Sequence, residues 1–207
     1  MTGDRLAVVI LISGRGSNMQ AIVAACREGR LPARVSTVIS NKSGAPGVAW
    51  AESQGIPVHV IGHREFASRE AHDRAVVAAL REHEVEWVCL AGYMRLLSRE
   101  LLAAFPNRVL NIHPSLLPAF PGLEAQHQAW EYGVRVSGCT VHVVDEELDH
   151  GPIVIQRTVR VEDGDTAETL ADRILEQEHV AYVEALERLL TEDWRLESRR
   201  LVFVRAS

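Results

Sequence analysis

Apolar and polar positions follow two alternating patterns along this chain. Residues 6–12 form a continuous Val- and Ile-rich run of the kind a strand buried on both faces requires, and after Ser13-Gly14-Arg15-Gly16-Ser17-Asn18 the apolar positions Met19, Ile22, Val23 and Cys26 recur at helical spacing up to about Gly29. The same order repeats. A strand over 35–40 precedes a helix over 46–54 that stops at Gly55, and a strand over 58–61 precedes a helix over 68–83. Ala71, Ala75, Ala78 and Ala79 are read as the packing face of that helix, with Glu70 and Asp73 near its positive end. A buried strand over 87–91, a short helix from Ser98 and a strand running through Asn111 and His113 complete a series of βα units, the pattern of an α/β fold with parallel strands.

Beyond a helix over 124–132 the rhythm changes. Two strands, 136–144 and 153–161, are separated only by the acidic turn Asp145-Glu146-Glu147-Leu148-Asp149-His150-Gly151-Pro152, which reads as an antiparallel excursion rather than another βαβ unit. Asp165 with Glu168 three residues on marks the start of a helix running to about Leu190, and 201–204 reads as an edge strand. No repeat, low-complexity segment or linker interrupts the 207 residues, so one domain is expected.

Composition narrows the functional classes. Net charge is −6 and no dense Lys/Arg cluster occurs, which argues against a nucleic-acid partner. No window approaches the roughly eighteen uninterrupted apolar residues of a membrane span, and no secretory leader opens the chain. Cys26, Cys89 and Cys139 are scattered without Cys-x-x-Cys spacing, as unpaired thiols of a cytoplasmic protein would be. The histidines show no His-Glu-x-x-His spacing, so no metal is expected.

Candidate chemistry concentrates in 111–122, Asn-Ile-His-Pro-Ser-Leu-Leu-Pro-Ala-Phe-Pro-Gly. Strand alternation puts Asn111 and His113 on one face, and Pro114, Pro118 and Pro121 stiffen the loop that follows. An amide and an imidazole beside a stiff loop suit a reaction site, although on residue type alone a histidine at a strand end is more often a satisfied structural residue. No Gly-x-Ser-x-Gly elbow is present, so Ser17 and Ser115 are not read as nucleophiles. The Gly14-x-Gly16 loop carries Met19 at the third glycine position of a dinucleotide fingerprint, and Asn41-Lys42 stands where NAD binding would call for an acid, so NAD is disfavoured. That loop is either an ordinary βα turn or a cradle for one phosphate. On residue type alone, Arg69 is a solvated charge, 94–97 is core and the acidic turn is solvent-facing.

The Asn-x-His-Pro-Ser-Leu-Leu-Pro run with its closing Pro-Gly resembles the signature of the folate-dependent formyltransferases, and the likeness extends from the first strand to the long last helix. The resemblance implies a Rossmann-like, mostly parallel sheet with helices on both faces and a C-terminal antiparallel excursion. It also implies transfer of the formyl group of 10-formyltetrahydrofolate, a co-substrate, to the amine of glycinamide ribonucleotide in purine synthesis. Asn111, His113 and Asp149, the last through the Leu148-Asp149-x-Gly151-Pro152 match, correspond to the catalytic trio, with Asp149 favouring a charged imidazole. Gly16, Ser17 and Asn18 correspond to the phosphate site, with Glu178 toward the other end of the nucleotide and Leu175 as a pocket position only. Arg69, Met94, Arg95, Leu96, Leu97 and Asn111, with Asp145, Glu146, Glu147, Leu148 and Asp149, correspond to the folate site.

The chain departs from the pattern at Glu124-Ala125-Gln126 before His127, where relatives often carry histidines, and at Leu175, where they tend to be polar. Relatives acting on initiator tRNA carry a further C-terminal domain, and those releasing formate a further N-terminal one. The length of this chain is expected to select against both. A non-catalytic folate or mononucleotide binder on the same fold stays open, as does a homodimer.

Overall fold

The computed structural model describes residues 6–204. The chain divides into two compact units, Met1–Leu110 and Asn111–Ser207.

The first unit contains β1 (Leu6–Ile12), α1 (Ser17–Arg27), β2 (Ala33–Ser40), α2 (Pro46–Ser53), β3 (Val58–Val60), a 3-10 turn at His63–Glu65, α3 (Arg69–Arg81), β4 (Trp87–Leu90) and α4 (Arg99–Ala104). Its strands lie in the order β3-β2-β1-β4, and each of these pairs is parallel. Val8 through Ile12 are fully buried in succession, so both faces of β1 are covered, as the unbroken apolar run requires. β5 (Val109–His113) begins in this unit and ends in the second.

The second unit continues with α5 (Ala125–Tyr132), β6 (Val136–Val143), β7 (Ile153–Arg160), the 25-residue α6 (Ala167–Thr191), β8 (Trp194–Glu197) and β9 (Arg200–Phe203), in the strand order β5-β6-β7-β9-β8. β6 and β7 are antiparallel, as the acidic turn between them predicted.

Three expectations are corrected. The buried face of α3 is His72, Asp73, Val76, Val77 and Leu80, whereas Ala78 is exposed and Ala71, Ala75 and Ala79 are only half-buried. The alanines recur at helical spacing, but the larger apolar side chains one position on remove more surface from water and take the inner face. The last helix starts one residue later than read: Thr166 is its cap and exchanges bonds with Thr169, while Asp165 pairs with Arg173 at 2.7 Å. The strand near the C-terminus is not at the edge, because β8, which the sequence did not signal, pairs outside it.

Candidate active site

In the second unit, β5 delivers Asn111 and His113 two residues apart, and the turn after β6 delivers Asp149. Asp149 adopts a left-handed conformation with φ 49°. This aims its carboxylate back at the proline loop, where Oδ2 accepts the Gly122 N–H at 2.8 Å and lies 3.4 Å from Nδ1 of His113. Nε2 of His113 donates to the Phe120 carbonyl at 2.8 Å. Each nitrogen of this buried ring therefore faces an oxygen atom. The trio is brought together as expected.

The structure adds a fourth member, His142 of β6, 2% exposed. Burial holds its imidazole below the ordinary histidine range, so it is neutral near pH 7. Its Nδ1–H donates to the Val143 carbonyl at 3.2 Å, which leaves Nε2 to accept from the Asn111 amide at 3.2 Å. That bond fixes which way the amide points and leaves its second N–H for another acceptor. The supporting histidine thus comes from β6. His127 is exposed on α5 and faces Glu131 at 3.8 Å.

Gly151 allows the turn to close. A Cβ there would lie 1.8 Å from the Val143 carbonyl oxygen, so only glycine fits where the chain passes the end of β6. Asp145 and His150 pair across the turn at 2.8 Å, and Arg199 donates to the His150 carbonyl. Glu146, Glu147 and Leu148 are exposed beside them. On α6, Glu178 is buried and Leu175 half-buried. Burial, with Glu178 nearby, pushes the Cys139 thiol up to about 12, so it is an inert core group.

In the first unit, Gly16 takes the left-handed cap position of α1 with φ 68°, and no side chain caps the helix. Ser17 and Asn18 lie in its first turn, where backbone amides point out of the helix end. α2 braces the loop: the Gly47 N–H donates to the Gly14 carbonyl at 3.1 Å, and a Cβ at Gly47 would lie 2.9 Å from that oxygen. Sequence reasoning missed Gly47. Arg69 opens α3, exposed and 3.7 Å from Glu70. In the irregular segment after β4, Met94 and Leu96 are 64% and 53% exposed, whereas Arg95 and Leu97 are half-buried. So much exposed apolar surface contradicts a core role for the segment and suits a ligand contact. Among the described residues, no group of three or more His, Cys, Asp or Glu could hold a metal.

The formyl transferase family matches residues 6–186, which include every candidate site residue from Gly16 to Glu178. A solved glycinamide ribonucleotide transformylase 1 from Symbiobacterium toebii is 49% identical, with a TM-score of 0.95 over 98% of this chain and 96% of that one. The phosphoribosylglycinamide formyltransferase of Bacillus subtilis is 41% identical over 87% of this chain and 93% of its own length. The trifunctional purine biosynthetic protein adenosine-3 of Gallus gallus is 46% identical over 89% of this chain. The chain spans only 18% of that larger relative. The chain belongs to the formyl transferase family, and its fold is the Rossmann-like one of that family.

Proposed function

We propose that the chain transfers the formyl group of 10-formyltetrahydrofolate to the amine of glycinamide ribonucleotide, the phosphoribosylglycinamide formyltransferase reaction of purine synthesis. The observation that carries this reading is the cluster of buried His113 and His142 with half-buried Asn111 and Asp149, an oxyanion donor beside a proton carrier with each held by a partner. Near-complete coverage of the B. subtilis enzyme supports it.

The amine nitrogen adds to the formyl carbon, and the carbonyl electrons move onto oxygen. The free N–H of Asn111 and the Nε2–H of His113, released from Phe120, donate to that oxyanion. Before the bond from the carbon to N10 of the folate breaks, the attacking nitrogen gives up a proton and N10 gains one. His113, with Asp149 holding its other nitrogen, gives its Nε2 proton to N10 and takes up the one that the attacking nitrogen releases. No metal and no covalent enzyme intermediate is needed. In the first unit, Gly16, Ser17 and Asn18 at the start of α1 are assigned to the ribonucleotide phosphate, and Arg69 and 94–97 to the folate. In the second, Leu175 and Glu178 are assigned to the nucleotide, and Asn111 and the 145–149 turn to the folate.

The chain acts as a single formyltransferase domain, a reading supported by a family match over residues 6–186. The three buried cysteines, none of them in a disulfide, fit a cytoplasmic enzyme. Among the described residues no helix is long and apolar enough to cross a membrane. The chemistry asks for small molecules only, and a homodimer would be an assembly rather than a completed site. Mixing the protein with glycinamide ribonucleotide and a formyl-folate and following the folate absorbance tests the reading. Turnover is expected, and binding of both without product would make the protein a binder instead.

A further inference from the structure

The segment 94–97 has no regular secondary structure, yet it offers Met94 and Leu96 to solvent. An irregular segment with exposed apolar side chains needs its backbone held from below if it is to present one surface. Two buried side chains hold it, one at each end. At the start, the Met94 N–H donates to Oγ of Ser13 at 2.9 Å, and that hydroxyl donates to Oδ1 of Asn41 at 2.6 Å. Ser13 is thereby both oriented and used up. At the far end, the Ser98 N–H donates to Oδ2 of Asp73 at 2.6 Å.

Asp73 is 1% exposed, so its charge needs company. His72, fully buried, supplies it: Nδ1 lies 3.1 Å from Oδ1 of Asp73, and Nε2 lies 3.0 Å from the Ile61 carbonyl. Adjacent helical side chains do not normally face each other, so this pair forms because α3 buries both residues against the chain leaving β3 and the start of α4. The hydroxyls of Tyr93 and Ser98, on either side of the segment, are buried without a hydrogen-bond partner. A polar interior of this kind is costly to build and serves no sheet or helix ladder.

We propose that Ser13 and Asp73, the latter held by His72, are positioning residues that clamp 94–97 in the shape that receives the formyl-folate. This rests on the proposed formyl-transfer reading. Neither residue touches the reacting atoms. The clamp sets affinity for one of the two substrates.

The test is steady-state kinetics of the full chain with each substrate varied in turn. Ser13→Ala and Asp73→Ala are each expected to raise KM for the formyl-folate by roughly tenfold, the loss of one buried hydrogen bond. KM for glycinamide ribonucleotide and kcat at saturating folate should stay within about twofold. Asp73→Asn should recover most of the folate KM. Its oxygen still accepts the Ser98 N–H, and its amide can donate to Nδ1 of a neutral His72 whose Nε2–H still serves Ile61. If Asp73→Ala does not fold, Ser13→Ala and Asp73→Asn carry the test. An unchanged folate KM in Ser13→Ala overturns the clamp, as does an equal rise in both KM values. Absence of turnover in the wild-type protein overturns the formyl-transfer reading itself, and the clamp's purpose with it.

Discussion

Replacing Asp149 by asparagine isolates charge from shape. Asparagine tolerates the left-handed backbone that residue 149 adopts, and its oxygen can keep the Gly122 N–H now bound at 2.8 Å. What disappears is the negative charge 3.4 Å from Nδ1 of His113. At that separation and an effective dielectric constant of roughly 20, the attraction to an imidazolium is about 5 kcal/mol. Desolvation of two buried groups offsets part of this, leaving on the order of 3 kcal/mol. If His113 is charged while the oxyanion exists, that energy is missing from the transition state, and kcat should fall by on the order of a hundredfold or more. The KM values should change little, because Asp149 acts through the ring. Stopped-flow or steady-state absorbance at saturating substrates measures this directly. A variant within about twofold of wild-type kcat would remove Asp149 from the mechanism, and a loss confined to KM would recast it as a binding residue.

Replacing Ser17 and Asn18 together by alanine should raise KM for glycinamide ribonucleotide with little change in kcat; an unchanged KM would undo the phosphate assignment. Gly151→Ala drives a Cβ to 1.8 Å from the Val143 carbonyl oxygen, and should cost about 3 kcal/mol and lower Tm by roughly 6–12 °C in calorimetry. A Tm within about two degrees of wild type would mean the turn gives way more easily than its packing implies. Burial depresses the His142 pKa below its ordinary 6.5. The stability tied to its neutral form is therefore complete above about pH 6.5 and is lost as pH falls through the lower folded value. Urea midpoints at about pH 7.5 and 5.5 should differ less in His142→Gln than in wild type; an equal drop in both would assign the slope to other groups, among them His179, whose pKa burial also lowers.

The βα alternation, the excursion after residue 132 and the pairing of Asn111 with His113 were legible in the sequence because each leaves a local mark: an unbroken apolar run, an acidic turn between two strands, an amide and an imidazole two residues apart; Asp149 leaves none, and only the family resemblance pointed to it. The inner face of α3 was misread because four alanines at helical spacing look like a stripe. The same spacing one position on holds Val76, Val77 and Leu80 together with His72 and Asp73. A His-Asp pair facing inward contradicts the usual expectation for charged side chains, and periodicity alone could not have found it. β8 escaped notice because its half-exposed alternation resembles the polar chain around it.

The supporting roles of β6 were hidden for a different reason. Alternation could place Thr140 and His142 on one buried face of that strand, but a strand pattern says only that a polar group is inside, not what it meets. In the folded chain the two hold neighbouring parts of the site. Oγ1 of Thr140 donates to the Ser115 carbonyl at 2.7 Å and accepts the Leu117 N–H at 3.0 Å, while His142 takes the Asn111 amide. Gln156 of β7 reaches the same Thr140 hydroxyl and the Leu117 carbonyl, at 3.0 and 2.9 Å. The proline loop that supplies the Phe120 carbonyl to His113 and the Gly122 N–H to Asp149 is therefore held from the β6–β7 hairpin as well as by its own prolines. A buried polar face on an antiparallel strand is stable only when every group on it is satisfied. Here the groups that satisfy it are the backbone of the loop and the amide of Asn111. The same bonds that make the face tolerable thus fix the geometry of the proposed site.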